Sequence, residues 1–187
     1  MKHTAIFFLY FLSILSCGCS YTESPAICSV YFSPDDKLAD RLVQLIEEEK
    51  STLYVAVYCL THHKVTDALI EAKGRGVDVQ IIIDPYSLDL TKNIERLAKA
   101  HIPIYVWDPC HCEKPRGDKR ALMHDKFCVF SDQVWTGSFN FTHKATAFNE
   151  ENAILIKSES MVKEFAARFL HIQQQGCLSY KKYKKLH

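Results

Sequence analysis

Hydrophobic positions along this chain change their period several times, and each change marks an element. Residues 28–32, CSVYF, read as a short strand. Ser33 and Pro34 follow as an N-cap and first helical turn, with Asp35 and Asp36 suited to the positive end of a helix dipole. Leu38, Leu42, Leu45 and Ile46 then recur at the spacing that gathers apolar side chains on one helical face. STLYVAVYCL (51–60) reads as a buried strand. Val65, Ala68, Leu69 and Ala72 mark a second amphipathic helix, closed by Gly74 and Gly76. VDVQIIID (77–84) is a strand ending at Asp84 and Pro85, and a shorter helix near 91–100 leads to the strand IPIYVW (102–107).

This alternation predicts an α/β sandwich whose sheet is largely parallel at first. Beyond residue 107 the pattern stops. Residues 108–120, DPCHCEKPRGDKR, show no period and are mostly polar, so they form a loop. Residues 122–130 and 133–137 pair as a hairpin, and ENAILI (151–156) adds a strand. Residues 158–174 close the domain as a helix with Met161, Phe165, Phe169 and Ile172 inward, and the basic YKKYKK segment belongs to a mobile tail over 176–187. There is no internal repeat.

Length and composition narrow the class without naming a chemistry. A chain of 187 residues, 48% apolar and 24% charged, suits one globular domain. Its formal net charge of +1 excludes a global field aimed at a polyanion, so any anion recognition is local. The opening MKHTAIFFLYFLSILSCGCS reads as an export signal over 1–16: Lys2 supplies the positive start, Ala5 to Leu15 the apolar run, and small residues follow. An uncleaved N-terminal anchor is the alternative. ILSC at 14–17 is similar to a lipoprotein cleavage box, which would place a lipid on Cys17, with Cys19 the weaker candidate. The export-signal reading puts the mature protein outside the cytoplasm, in the periplasm, on the envelope or secreted. Eight cysteines fit export. Cys59 and Cys128 fall in predicted strands and read as small buried residues, whereas Cys110-His111-Cys112 lacks the second cluster that a zinc site requires.

The candidate chemistry lies in ALMHDKFCVFSDQVWTGSFNFT (121–142). His124 and Lys126 are two residues apart, so in a strand they point to the same side, and Ser138 and Asn140 repeat that spacing after Gly137. Four polar groups framed by Phe127, Val129, Val134 and Trp135 suggest a pocket for an anion. Taken singly, His124 also fits a hydrogen-bonded strand histidine and Lys126 a snorkelling surface lysine. Asp84 at a strand end reads as a turn residue before a functional one, His62 and His63 as solvated residues at a helix start, and His143 as a loop histidine. Lys114, Arg116, Lys119 and Arg120 form a solvated loop or a guide for a polyanion or lipid headgroup.

Together with VYFSP (30–34), LTHHKVTDALIEAKGRGVDVQIIID (60–84) and NEENAILI (149–156), the HDK and TGSFNFT segments resemble the phospholipase D superfamily. The resemblance is to its single-motif branch, which includes small bacterial periplasmic endonucleases and Zucchini-type phosphodiesterases. It implies a phospholipase D-like α/β/α sandwich with a mixed, largely parallel central sheet over residues 28–175, after a linker at 17–27. It also implies phosphodiester hydrolysis through a covalent phosphohistidine, with no metal or other cofactor. Position by position, the resemblance makes His124 the nucleophile, Lys126 a phosphate-binding cation, and Ser138 and Asn140 holders of the phosphoryl oxygens, with Glu151 orienting the imidazole. One position departs: the family pattern is H-x-K, four residues, then an Asp whose implied role is structural more than chemical, but here those four residues are followed by Ser131, and Asp132 comes one place late. A trimmed hairpin turn accounts for the shift.

The chemistry itself asks for a second imidazole, one to attack phosphorus and one to protonate the leaving alkoxide. A single motif supplies one, so the expectation is a homodimer with the active site on its twofold axis. The expected substrate is a nucleic acid, with phospholipid headgroups as the alternative and a non-catalytic phosphate-binding relative as the third reading.

Overall fold

The computed structural model describes residues 26–110 and 121–187. The signal-like segment, Cys17, Cys19, the His111-Cys112 half of the C-H-C triplet and the four basic loop residues lie outside these. Eight strands form one sheet: β1 (Ile27–Ser33), β2 (Thr52–Val57), β3 (Asp78–Ile83), β4 (Ile104–Trp107), β5 (Lys126–Val129), β6 (Gln133–Gly137), β7 (Glu151–Lys157) and β8 (Cys177–Ser179). Their order across the sheet is β1-β7-β6-β5-β2-β3-β4-β8. The helices are α1 (Leu38–Glu48), α2 (His63–Gly74), α3 (Tyr86–Leu90), α4 (Asn93–Lys99), α5 (His143–Ala147), α6 (Glu159–Gly176) and α7 (Tyr180–Leu186).

Period two along the central strands divides the core into two layers. Val55, Val57, Ile81 and Ile83 face α1, α2 and α4, meeting Leu38, Leu42, Ile46, Val65, Leu69 and Leu97. Ala56, Ile82, Phe127, Val129 and Val134 face the other way, where α6 covers them with Phe169 and Ile172, and with Met161 and Phe165 at the margin. Phe165 meets Phe127 edge-on, with centroids 5.2 Å apart. Ser158 caps α6, its hydroxyl accepting from Met161 N.

The sandwich is as expected and the sheet is mixed, but parallel pairing is confined to β2–β3–β4. Every other pair is antiparallel, since hairpin-like returns bring β5, β6, β7 and β1 together on one side. Two local expectations change. The first helix begins at Leu38, because Ser33 is still in β1, where its hydroxyl donates to Asn149 O, and residues 34–36 turn instead. The basic tail is ordered as β8 and α7: β8 pairs antiparallel with β4, Leu178 is buried, and Tyr180 and Tyr183 pack on the core.

Candidate active site

Parallel β2 and β3 end side by side, and β5 starts beside the end of β2, where Val57 pairs with Lys126. The C-terminal ends of parallel strands are where open α/β sheets present ligands, and the sequence-predicted residues gather there. His124 precedes β5 and is exposed, while Lys126, two residues on, is buried. Lys126 Nζ lies 3.2 Å from His124 Nδ1 and donates to His124 O at 2.6 Å. An ammonium at Nδ1 makes that nitrogen the acceptor, which places the ring proton on the other nitrogen. Burial pulls the Lys126 pKa below the ordinary lysine value, while Asp125 and Glu151 act in the opposite sense. The result is a desolvated cation held against the imidazole.

Ser138 and Glu151 come together from adjacent strands. β6 and β7 run antiparallel with Gly137 opposite Ala153, and a Cβ at Gly137 would collide with Asn152 O and lie 2.9 Å from Ala153 Cα. Glycine is therefore required by the approach of the two backbones. Just beyond it, Ser138 Oγ donates to Glu151 Oε2 at 2.6 Å and accepts from Asn152 N, and Asn149 Nδ2 donates to Glu151 Oε1 at 3.0 Å. Glu151 makes no hydrogen bond to His124 within one chain; its link to the His124–Lys126 pair is electrostatic, through Lys126. The Asn140 side-chain oxygen Oδ1 is buried and receives no hydrogen bond.

Two further residues complete the site. The Tyr58 ring, one residue past β2, lies 4.7 Å from the His124 ring, and Lys126 Nζ sits 5.5 Å from the Tyr58 centroid, within cation–π reach. Sequence reading passed over Tyr58, because it placed this residue inside a strand running to residue 60, whereas β2 ends at Val57. Asp84 is buried and does more than close a turn. Its Oδ1 accepts from Tyr86 N, and its Oδ2 reaches across to accept from Met123 N, next to His124. Burial raises its pKa, against the backbone donors of Tyr86 and Met123 and the nearby His124. A cavity of about 410 Å³ opens beside His124, with Trp107, Met123 and Ile172 among its lining and the Asp125–Arg168 pair, 3.3 Å apart, at its wall.

The displaced acidic position resolves differently from the sequence expectation. Asp132 is exposed and only 4.0 Å from Lys157. The carboxylate that holds the hairpin belongs to Glu49, just past α1. Glu49 Oε2 accepts from Ser131 N at 2.9 Å and Ser131 Oγ at 3.1 Å, while Oε1 accepts from Lys50, Ser51 and Thr52 N. Nothing in the local pattern marks Glu49, because its partner lies 82 residues away.

His62 is half-buried rather than solvated: its Nδ1 has no partner, and burial lowers its pKa, with His143 and Lys64 adding to the effect. His63 and His143 are exposed at the starts of α2 and α5. Among the described residues, no three of His, Cys, Asp and Glu are grouped to hold a metal ion.

Comparison with known proteins matches residues 42–173 to the family described as cardiolipin synthase, PLD-like domain. The chain is 30% identical to the "Phospholipase D" of Rickettsia prowazekii over 139 residues, covering 73% of this chain and 63% of that protein. It is 25% identical to the human "Mitochondrial cardiolipin hydrolase" over 177 residues, covering 89% of this chain and 66% of that protein. The structure resembles Nuc from Salmonella typhimurium, a phospholipase D family member, with a TM-score of 0.70 and 27% identity over 83% of this chain and 99% of the other. NucT from Helicobacter pylori shares the fold, with a TM-score of 0.72 at 20% identity over 83% of this chain and 100% of the other.

Proposed function

Because the chain belongs to the phospholipase D superfamily and is a phosphodiesterase of that family, we propose that it cleaves nucleic-acid phosphodiesters through a phosphohistidine at His124. The observation that carries this reading is the exposed imidazole held 3.2 Å from a buried ammonium. A phosphodiester anion entering the site competes for Lys126. As the ammonium turns to a non-bridging oxygen, Nδ1 is released to take the ring proton, and the lone pair on Nε2 faces phosphorus. Lys126, with Ser138 and Asn140 as neutral donors, stabilises the charge growing on the phosphoryl oxygens. Nε2 bonds to phosphorus as the P–O bond to the leaving alkoxide breaks, and a second imidazole donates that alkoxide its proton. Water then attacks the phosphohistidine, giving its proton to the second imidazole as the P–N bond breaks, which restores both histidines and releases a phosphomonoester.

The second imidazole is His124 of a second copy across a twofold axis. The surface supports this assembly. On β1 and β7, Val30, Phe32, Ile154 and Ile156 lie on the face opposite Tyr31, and Val30 and Phe32 are 52% and 55% exposed. Phe32 pairs with Asn152, so this apolar strip runs up to the Ser138–Glu151 end of the sheet. Glu151 is the proposed acceptor for the Nδ1 proton, and since it makes no bond to His124 within one chain, the shared axis is where it would do so. The relatives' names favour a second substrate, phospholipid, and Leu122, exposed two residues before His124, is compatible with an acyl surface.

The mature protein, incubated in chelator with plasmid DNA, RNA and phospholipid vesicles, separates these readings. The expected result is nucleic-acid cleavage without headgroup release, an acid-labile phosphate on His124 after rapid quench, and loss of both in His124→Asn. Headgroup release alone would transfer the reading to phospholipid. Turnover without an adduct on His124 would end the covalent mechanism.

A further inference from the structure

Tyr58 is one half of a stacked pair. The Tyr86 ring lies on it with centroids 5.2 Å apart and planes 12° apart, and Tyr58 also meets His124, tilted by 54°, so the three rings form a ladder in which Tyr58 joins Tyr86 to the imidazole. Tyr86 is 48% exposed, unlike the half-buried ring beneath it. Two buried residues, Asp84 and Ser87, hold the pair in place. Asp84 binds Tyr86 N with one carboxylate oxygen and Met123 N with the other, fixing the Tyr86 turn relative to the segment that carries His124. Ser87, fully buried, donates to Tyr58 O at 3.0 Å and accepts from Leu60 N at 3.1 Å, tying the Tyr86 turn to the backbone beneath. An exposed ring with this much buried polar support is a fixed platform rather than a loose surface side chain.

From this geometry we infer that Tyr86 stacks a nucleobase next to the scissile phosphate, which makes the single-stranded form of a nucleic acid the preferred substrate. The inference deepens the phosphodiesterase reading and rests on it. A ligand that fills both ends of the ladder must carry a phosphodiester for His124 and Lys126 and, adjoining it, a flat ring for Tyr86. A nucleotide is the chemical class that joins them. Base–aromatic stacking tolerates any base, because every base has a π-face, so the platform confers a preference for unpaired strands without sequence specificity. In a duplex that face is already stacked on its neighbours.

The test uses substrates with one phosphodiester: a dinucleotide, and the two counterparts in which one base is replaced by hydrogen. Wild type should favour the intact dinucleotide over one of the abasic isomers by on the order of 10-fold in kcat/KM, expressed mainly in KM. Tyr86→Ala should cleave these two substrates with equal efficiency, and Tyr86→Phe should restore the preference. Equal cleavage of intact and abasic substrates by the wild type, or a preference that survives Tyr86→Ala, overturns the platform while leaving the His124 chemistry in place. Absence of His124-dependent turnover of every diester overturns both. A Tyr86→Ala defect confined to phosphatidylcholine vesicles, with no dinucleotide cleaved, would assign the exposed ring to a quaternary ammonium instead.

Discussion

At the scale of residues, the site depends on a cation kept where a cation is costly. Lys126 is buried, and its pKa is pulled down by that burial. The sign for activity follows directly: the phosphate-binding charge is present below the depressed pKa and is lost as pH rises through it, earlier than for an ordinary lysine near about 10.4. A pH–rate profile of kcat/KM should therefore show an alkaline limb that moves out of range in Lys126→Arg, because a guanidinium stays protonated. Lys126→Gln should lower kcat by on the order of 100-fold at neutral pH. An unchanged alkaline limb in Lys126→Arg would assign the titration to another group. Much of this was legible from spacing, since His124, Lys126, Ser138 and Asn140 are joined by the alternation of strand side chains. The Tyr58 ring and the reach of Asp84 to Met123 were not, because they join segments far apart in the chain.

At the scale of elements, the hairpin that carries Lys126 is secured by a carboxylate from elsewhere in the sequence. Glu49 is buried with five donors on its two oxygens. Burial alone would raise its pKa, but the backbone N–H groups of Ser131, Ser51 and Lys50, with the Ser131 hydroxyl, outweigh that and lower it. A depressed carboxyl pKa contributes stability that is present above the unfolded value, about 4.3, and is lost as pH falls through the folded value. Glu49→Ala should cost about 2 kcal/mol or more in denaturant unfolding at pH 7, with less further loss on acidification than in wild type. Asp132→Ala should stay within about 0.5 kcal/mol, because its ion pair with Lys157 is long and exposed. A reversed ranking would return the structural role to Asp132. The strands and helices themselves were readable from periodicity, because burial on one or two faces writes that period into the sequence. What periodicity cannot convey is pairing direction: nothing in the residues of β5 to β7 records that they join β2 from the antiparallel side. A signal such as Ser33-Pro34 was equally suited to a helix start and to the turn found there, and tertiary contact of Ser33 with Asn149 decided between them.

At the scale of the whole molecule, the uncovered strip on β1 and β7 is where assembly and activity should be inseparable. Phe32→Asp places a charge in the middle of the proposed contact without touching His124, Lys126 or their hydrogen bonds. Sedimentation should show the wild type as a dimer at micromolar concentration and the variant as a monomer, with turnover falling by at least 10-fold in parallel. A fully active monomer would remove the shared axis from the mechanism. At the opposite end of the sheet, β8 does a quieter job. Its three residues occupy the open hydrogen-bonding side of β4, whose own side chains are almost wholly buried. Chains cut before Cys177 would leave β4 as a bare apolar border able to recruit strands from neighbouring molecules. Such truncations should be recovered mainly in the insoluble fraction, whereas extensions added after His187 at the exposed end of α7 should remain soluble.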